Sequence, residues 1–308
     1  MIRRGWSVVT PCCTRPKAEP VLGQSRHLAD LPDSTKSTLR RLLSNVRYEL
    51  LPIGGALEQA AALPIGAEVA VTADPELGMA PTIDLCVELS RRGFGVLPHL
   101  SAQLTRDRSE LAAYLQRLAD AGIERALVIG GVADQPGEFL DAMALLVAIE
   151  ESGASLRELG IAGYPEGHQE IPDEPIERSL FEKAPHSAWI TTQICMDAAQ
   201  TGRWIERQRR RGIDLPIWLG ITGVADITGL MSMGLKVGAG RSLQFMFEHP
   251  RLVTRLLRPG GRSASDLVVR LAGLAADTRT GIAGFHLFTY NQVRAAERWR
   301  NRLVSQIE

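Results

Sequence analysis

The chain has 308 residues, of which 45% are hydrophobic and 23% are charged, and its 35 Lys and Arg residues balance 35 Asp and Glu residues. The apolar fraction is too high for a disordered protein, and the balanced charge provides no overall attraction to nucleic acid or to an anionic membrane. No run of about 20 apolar residues predicts a membrane span. A chain of this length forms one large domain or two small ones.

The first 44 residues are predicted to be an N-terminal extension, partly disordered, with a short helix around Ser37–Leu43. Polar residues and prolines interrupt the segment Gly5–Pro20, where a signal peptide would need an apolar core, so a cytoplasmic location is expected. The cysteines form no CxxC pair, which is typical of reduced thiols in an intracellular protein. They are Cys12, Cys13, Cys86 and Cys195.

From residue 45 onward, short apolar runs alternate with longer amphipathic ones. Each short run is rich in Val, Ile, Leu or aromatic residues and lacks clear alternation, which is typical of a strand buried on both faces. The predicted strands are Val46–Leu51, Glu68–Ala73, Gly95–Leu100, Arg125–Ile129, Leu159–Tyr164, Ala188–Ile194, Pro216–Ile221 and Gly284–Tyr290.

Helical patterns follow most of these predicted strands. Several of the patterns end at a glycine, which is a common helix stop. The predicted helices are Thr82–Arg92, Asp107–Ala121, Phe139–Ser152, Ala198–Arg211, Ser265–Thr280 and Asn291–Ile307.

This alternation predicts an α/β fold, a (β/α)8 TIM barrel over residues 45–308 that follows the N-terminal extension 1–44. The alternative is a doubly wound open sheet, which would favour a glycine-rich phosphate loop after the first strand. The segment Pro52–Ala56 does not fit GxGxxG, and the chain contains no GxxxxGK[ST] motif. The barrel is therefore the favoured interpretation.

Function in a barrel is located at the carboxyl ends of the strands. Polar residues are predicted to converge on that mouth from all around the barrel. They include Glu49, Thr72, Asp74, His99, Ser101, Asp134, Tyr164, Glu166, His168, Gln193, Asp197, Thr222, Asp226, His286, Thr289, Tyr290 and Asn291.

The spacings that mark several other chemistries are missing. Metal-dependent barrel hydrolases begin with HxH on the first strand, where this chain has Tyr48–Leu50, and neither HExxH nor paired cysteines occur, so no bound metal is predicted. A GxSxG elbow is also missing. Glu49 and Glu166 could form a glycosidase pair, but aromatic sugar platforms are scarce. The basic run Arg207–Arg211 is interpreted as a solvated helix end, not a nucleic-acid site.

Six segments, in order, resemble motifs of the methylenetetrahydrofolate reductase family. Ala162–Glu170 reads AGYPEGHQE and resembles AYPExHxE. The resemblance spans about residues 45–300. The other five segments are Tyr48–Pro52 (resembling FEFFPP), Pro98–Ser101 (PHLT), Ile190–Asp197 (ITQFFFD), Leu219–Val224 (PGILPV) and Gly284–Asn291 (FHFYTLN).

The resemblance implies a barrel that binds FAD at its mouth and passes hydride from NAD(P)H through the flavin to 5,10-methylenetetrahydrofolate. Glu49 would then be the acid that assists opening of the folate's five-membered ring, and Gln193 would hydrogen-bond the pterin. The expected partners are small molecules, with a homo-oligomer left open. The implied flavin contacts are Thr72, His99, Gly131, Tyr164, His168 and Lys183.

Three positions depart from the family pattern. Val132 stands where the family carries an Asp beside the flavin ring, Ile227 replaces an expected aromatic residue, and Gln292 replaces an Arg. These departures leave two alternatives open. One is a flavin-free or divergent member that acts on another one-carbon carrier, and the other is a noncatalytic folate- or flavin-binding homologue.

Overall fold

A computed structural model describes residues 28–131, 133–168, 171–223 and 264–308. Eight parallel strands follow one another around a closed barrel, and the last pairs with the first. The predicted (β/α)8 barrel is confirmed. The strands are β1 Val46–Leu50, β2 Glu68–Val71, β3 Gly95–Ser101, β4 Arg125–Ile129, β5 Glu158–Gly163, β6 Trp189–Ile194, β7 Ile217–Thr222 and β8 Ile282–Phe288.

The helices form an outer layer around the strands. The bounds of most predicted elements shift by only a few residues, because the ends of helices and strands are the part that local pattern determines least. The helices are α1 Asp33–Ser44, α2 Ala56–Ala60, α3 Ala80–Arg91, α4 Arg108–Asp120, α5 Ala142–Ser152, α6 Asp173–Lys183, α7 Ala198–Arg210, α8 Ala264–Ala275 and α9 Val293–Ser305.

Two of these helices, α2 and α6, were not predicted from the sequence. Helix α2 has only five residues, which is too short for a helical period to show. In α6 the only buried residues are Leu180 and Lys183, so the apolar stripe that indicates a helix is nearly absent.

The last two predicted helices are shorter than expected. Helix α8 ends at Ala275, and a separate 3-10 turn over Thr278–Thr280 is capped by Asp277, whose carboxylate accepts a hydrogen bond from the Arg279 amide at 3.0 Å. Helix α9 begins at Val293, two residues after its predicted start at Asn291. Tyr290 and Asn291 have left-handed φ angles of 49° and 58°, which a right-handed helix cannot contain.

Helix α1 belongs to the outer layer of the barrel. It packs against α8 and β8, and it buries Leu39, Leu42 and Leu43. The Arg40 guanidinium donates a 2.7 Å hydrogen bond to the Ile307 carbonyl near the end of α9. The boundary placed at residue 44 therefore falls between a packed helix and β1, and residues 1–27 lie outside the described residues.

The main apolar core lies between the strands and the helices, whereas the barrel interior carries polar groups. Arg47, His99 and His286 are all buried there. No helix in the described ranges is long and apolar enough to cross a membrane.

Arginines of the basic run at the end of α7 bind groups within the protein. Arg211 pairs with Glu177 at 2.7 Å, and Arg209 donates to backbone carbonyls, including that of Leu215 at 2.9 Å.

Candidate active site

A carboxyl group and two imidazoles meet inside the mouth of the barrel. Glu49 comes from β1, His99 from β3 and His286 from β8. The Nε2 atom of His286 lies 3.0 Å from Glu49 Oε2, and Nδ1 of His99 lies 3.9 Å from the same oxygen. The two imidazole rings stack with their centroids 5.6 Å apart. We call these three residues the mouth cluster.

Closure of the barrel brings the cluster together. Alternate residues of a strand point to the same side, so Arg47 and Glu49 of β1 both face the interior. The register between β1 and β8 places Arg47 opposite His286 and Glu49 opposite Phe288. The Phe288 and His286 rings form a T-shaped pair with centroids 5.0 Å apart.

Burial controls the protonation of the cluster. The Glu49 side chain is 14% exposed, those of His99 and His286 only 5% and 0%. Burial raises the pKa of Glu49 to about 7, an effect that the neighbouring His99 partly offsets. Burial also lowers the pKa of His99 to about 4 and that of His286 to about 3. Near pH 7 both imidazoles are therefore neutral, and the short Glu49–His286 contact is a hydrogen bond and not an ion pair.

The chain after β8 braces the end of β1. The Thr289 hydroxyl donates a 2.5 Å hydrogen bond to the Glu49 carbonyl. The Asn291 side chain accepts from the Leu51 amide at 2.8 Å and donates to the Leu51 carbonyl at 3.1 Å. Asparagine tolerates a left-handed backbone better than most residues, which suits it to this position. These bonds hold the backbone of Glu49 in place.

A cationic layer lies below the mouth cluster. The Arg47 guanidinium stacks on Trp218 at 3.7 Å and on Trp189 at 4.8 Å, and its Nε donates to Glu68 at 2.9 Å. Glu68 also accepts from Arg125 at 2.5 Å. Arg47 is 2% exposed, and its charge is one cause of the low pKa values of both cluster histidines.

Several other predicted residues lie at the same end of the barrel. Half-buried Thr72 directly follows β2, and its carbonyl accepts from the Thr82 hydroxyl at 3.1 Å. Tyr164 and His168 form an edge-on ring pair with centroids 5.3 Å apart in the loop after β5. Gln193 is half-buried near the end of β6, where its side-chain oxygen accepts from the Ile194 amide at 2.8 Å.

Gly131 lies in the loop after β4 with a φ of 75°, a conformation that favours glycine. A Cβ atom at this position would overlap the Ser101 hydroxyl. The adjoining Val132 lies outside the described residues, as do Asp226 and Ile227. Asp134, the carboxylate two residues beyond Val132, is exposed.

Lys183 lies apart from the mouth cluster. It occupies the last turn of α6, which returns the chain towards the amino ends of the strands. It is buried in the outer helix layer, where burial lowers its pKa and the charges of Asp141 and Glu182 partly offset that effect. The structure therefore does not bring Lys183 together with the other predicted cofactor contacts.

Two carboxylates have roles that sequence reasoning did not identify. Glu166 accepts hydrogen bonds from the backbone amides of Met196 and Asp197, which ties the loop after β5 to the loop after β6. Asp197 caps helix α7 by accepting from the Ala199 amide at 2.8 Å. Glu166 therefore holds two mouth loops together. This structural role does not favour Glu166 as the catalytic partner of Glu49 in a glycosidase.

The sequence predicts that His286 lies at the mouth but indicates no role for it. The alternation of Gly284, His286 and Phe288 in β8 is the signal that places it on the inner face. Its contact with Glu49 joins residues 237 positions apart in the chain, and such a contact does not follow from local pattern.

The described residues do not fit FAD. The cofactor carries two phosphates, but the predicted cation, Lys183, lies in the outer helix layer. Arg106 and Arg108, which follow β3, are exposed and pair with Asp107 at 2.8 Å and Glu151 at 2.9 Å. His99, predicted to touch the flavin, is buried against the other cluster residues. Within the described ranges, no phosphate cradle is assembled around the mouth cluster.

Fold and site together define a (β/α)8-barrel protein with a buried carboxyl–imidazole centre at its mouth. The family model for methylenetetrahydrofolate reductase matches residues 60–245, more than half of the chain. The chain therefore belongs to the methylenetetrahydrofolate reductase family, which confirms the resemblance found in the sequence.

Individual relatives are more distant. Methylenetetrahydrofolate reductase 1 of Schizosaccharomyces pombe is 37% identical over 67 residues, which are 20% of this chain and only 11% of the yeast protein. An uncharacterized Clostridium thermocellum protein that binds two copies of 5-methyl-5,6,7,8-tetrahydrofolic acid aligns with a TM-score of 0.56 at 12% identity, over 88% of this chain and 96% of that one. This similarity shows the shared fold.

A putative phosphonomutase from Burkholderia cenocepacia J2315 aligns with a TM-score of 0.46 at 12% identity, over 89% of this chain and 98% of that one.

Proposed function

We propose that this protein reduces 5,10-methylenetetrahydrofolate to 5-methyltetrahydrofolate with NAD(P)H. Membership of the reductase family supports the substrate class, and the folate bound by the Clostridium thermocellum protein of similar fold is consistent with it. The single observation that carries the proposal is the buried Glu49 carboxyl group, hydrogen-bonded to His286 at the mouth.

The reaction needs an acid at this position. The bond between the methylene carbon and N10 must break before the carbon can accept hydride, and N10 leaves more easily when it is protonated. The product of that step is an iminium ion at N5. Hydride from the nicotinamide ring then adds to the methylene carbon, which forms the new C–H bond and oxidises NAD(P)H to NAD(P)+.

Glu49 is suited to supply the proton. Its pKa of about 7 keeps a substantial fraction of the carboxyl protonated at neutral pH. The low pKa values of His99 and His286 keep the proton on the carboxyl and off the imidazoles. Solvent returns a proton to Glu49 after each turnover.

The other residues at the mouth supply contacts for the pterin and the nicotinamide. The Gln193 amide and the ring pair of Tyr164 and His168 lie at the same end of the barrel as Glu49. We assign Gln193 to the pterin, as the resemblance implies. Its amide can exchange the bond to the Ile194 amide for bonds to the pterin ring.

The described residues do not fit the flavin that the resemblance implies, so no step of the proposed reaction uses one. The proposal is therefore the flavin-free form of the reduction, in which NAD(P)H delivers hydride directly to the folate. A protein that purifies with stoichiometric FAD, and whose flavin is reduced by NAD(P)H and reoxidised by the folate, would contradict this direct transfer and restore the FAD prediction.

The decisive experiment is anaerobic NAD(P)H oxidation with 5,10-methylenetetrahydrofolate on protein of measured flavin content. We expect turnover without bound flavin, and we expect Glu49→Gln to lower it by about 10²–10⁴-fold while the fold is retained, the usual contribution of a positioned general acid. Glu58→Gln, a change at an exposed position of α2, is the matched control and should leave turnover unchanged. Wild-type turnover that survives in Glu49→Gln would remove Glu49 from the mechanism.

A further inference from the structure

The mouth cluster presents three metal-binding side chains to one point. One ligand atom each from Glu49, His99 and His286 can be chosen so that all three lie within 4.8 Å of one another. The three residues come from separate strands of the closed barrel, so their backbones are fixed by the sheet. The group is recognisable only in three dimensions, since its members are far apart in the sequence.

The donor set suits a divalent transition metal. Two imidazoles and a carboxylate are the protein ligands of many zinc sites, with metal–ligand distances of about 2.0–2.2 Å. Ligand atoms of a tetrahedral site then lie about 3.4 Å apart. The observed separations of 3.0 Å from Glu49 to His286 and 3.9 Å from Glu49 to His99 bracket that value. The remaining separation, between the two imidazoles, can be as large as 4.8 Å, so the two imidazoles must rotate towards each other to close the site.

Other features indicate weak and reversible binding. Histidines that hold a resident metal usually donate their second ring N–H to an acceptor. In the described part of the protein, His99 Nε2 and His286 Nδ1 are buried without a hydrogen-bond partner. The positive charge of Arg47, whose backbone pairs with His286, also opposes a second cation. The site lacks the surroundings of a permanent metal centre.

We propose that Glu49, His99 and His286 bind a zinc-class divalent ion reversibly, and that the bound ion inhibits the enzyme. Inhibition rests on the proposed function, because a carboxylate that coordinates a metal ion no longer carries the proton needed at N10. Binding itself does not rest on that function. Three protein ligands leave the fourth tetrahedral position for a water molecule.

Binding is tested on the full chain after treatment with a chelator. Zn²⁺ is titrated against a chromophoric chelator, and Co²⁺ serves as a spectroscopic probe because four-coordinate Co²⁺ absorbs visible light strongly. We expect one ion per chain. We also expect His286→Gln and His99→Asn each to weaken binding by at least about tenfold, since loss even of a supporting partner costs about that much.

The matched control is His186→Gln. The His186 ring lies 2.9 Å from Glu150 on the outside of the barrel, and this histidine–carboxylate pair has no third ligand among the residues that the structure describes. This change should leave Zn²⁺ affinity and turnover unchanged. Thermal unfolding of each variant shows whether it is folded, and the two separate histidine changes keep the test decisive if one of them fails to fold.

The outcomes separate this inference from the proposed function. Wild-type protein that binds no Zn²⁺, or binds it equally well after both cluster changes, would overturn the metal site even if the folate is reduced. Zn²⁺ that binds at the cluster without slowing folate reduction would overturn the inhibition. A protein that binds Zn²⁺ at the cluster but never reduces the folate would refute the proposed function and leave the site standing.

Discussion

Glu49 is held in surroundings that favour its protonated form, and this has a consequence for stability. Its pKa rises from 4.5 to about 7 on folding because the carboxyl is buried. A group that binds its proton more tightly in the native state stabilises that state only while the proton is present. The native state therefore loses this stability as pH rises from about 4.5 to about 7.

We expect Glu49→Gln to remove this pH dependence, because glutamine has no proton to lose. The free energy of unfolding of the wild type, relative to that of the variant, should fall by up to about 3 kcal/mol between pH 4.5 and pH 7.5. Urea unfolding of both proteins across that range measures the difference. Parallel curves would show that the carboxyl titrates at its ordinary pKa.

Gly131 illustrates a second constraint on a single residue. Its φ of 75° strains any side chain, and a Cβ would overlap the Ser101 hydroxyl. We expect Gly131→Ala to lower the free energy of unfolding by about 1–3 kcal/mol. The neighbouring Gly130→Ala is a matched control, because nothing lies within 4 Å of a Cβ there and its φ is not positive. Equal effects in chemical denaturation would mean that the loop adjusts freely.

Among the elements, helix α1 shows how residues that precede the first strand contribute to the barrel. Leu42 is fully buried where α1 covers the barrel. We expect Leu42→Ala to cost about 2–5 kcal/mol of stability, the usual result of deleting a large core side chain. Leu140→Ala is the control, because Leu140 is 68% exposed and its loss should change stability by less than about 0.5 kcal/mol. A melting temperature that Leu42→Ala leaves unchanged would show that α1 is not part of the cooperative fold.

The cationic layer joins strands from all around the barrel, so its stability concerns the whole molecule. Glu68 accepts hydrogen bonds from both Arg47 and Arg125, and the Arg47 guanidinium lies over two indole rings that are roughly perpendicular to each other. Removing one partner of a buried ion pair leaves the other charge uncompensated. Because Glu68 is 28% exposed and Arg125 is 34% exposed, we expect Glu68→Gln to cost less than the loss of a fully buried partner, about 1–3 kcal/mol.

Arg47→Met should cost less, because the Glu68 carboxylate keeps its hydrogen bond to Arg125 and is 28% exposed, so no buried charge is left uncompensated. Guanidinium chloride unfolding of the two variants gives the comparison. A larger loss in Arg47→Met than in Glu68→Gln would show that stacking between Arg47 and the two tryptophans, and not charge balance, holds this layer together.

Much of this architecture could be predicted from local pattern. Buried parallel strands appear as short apolar runs, and the eight runs between Val46 and Tyr290 all lie at or within a few residues of the observed strands. Once the barrel is predicted, the functional mouth follows as the carboxyl ends of its strands, and Glu49, His99, Tyr164 and Gln193 all lie there. Helix α6 was missed because it buries almost no apolar side chain.

The sequence alone was therefore enough to predict the barrel, its mouth and the family resemblance. Strand periods, helix periods and short motifs depend only on residues that are close together in the chain. The partner of Glu49 could not be derived in this way, since His286 lies 237 residues away and reaches it only when β8 closes against β1. The pKa of the carboxyl also depended on burial inside that closed barrel. The position of Lys183 likewise depended on where α6 returns the chain, which no spacing in the sequence specifies.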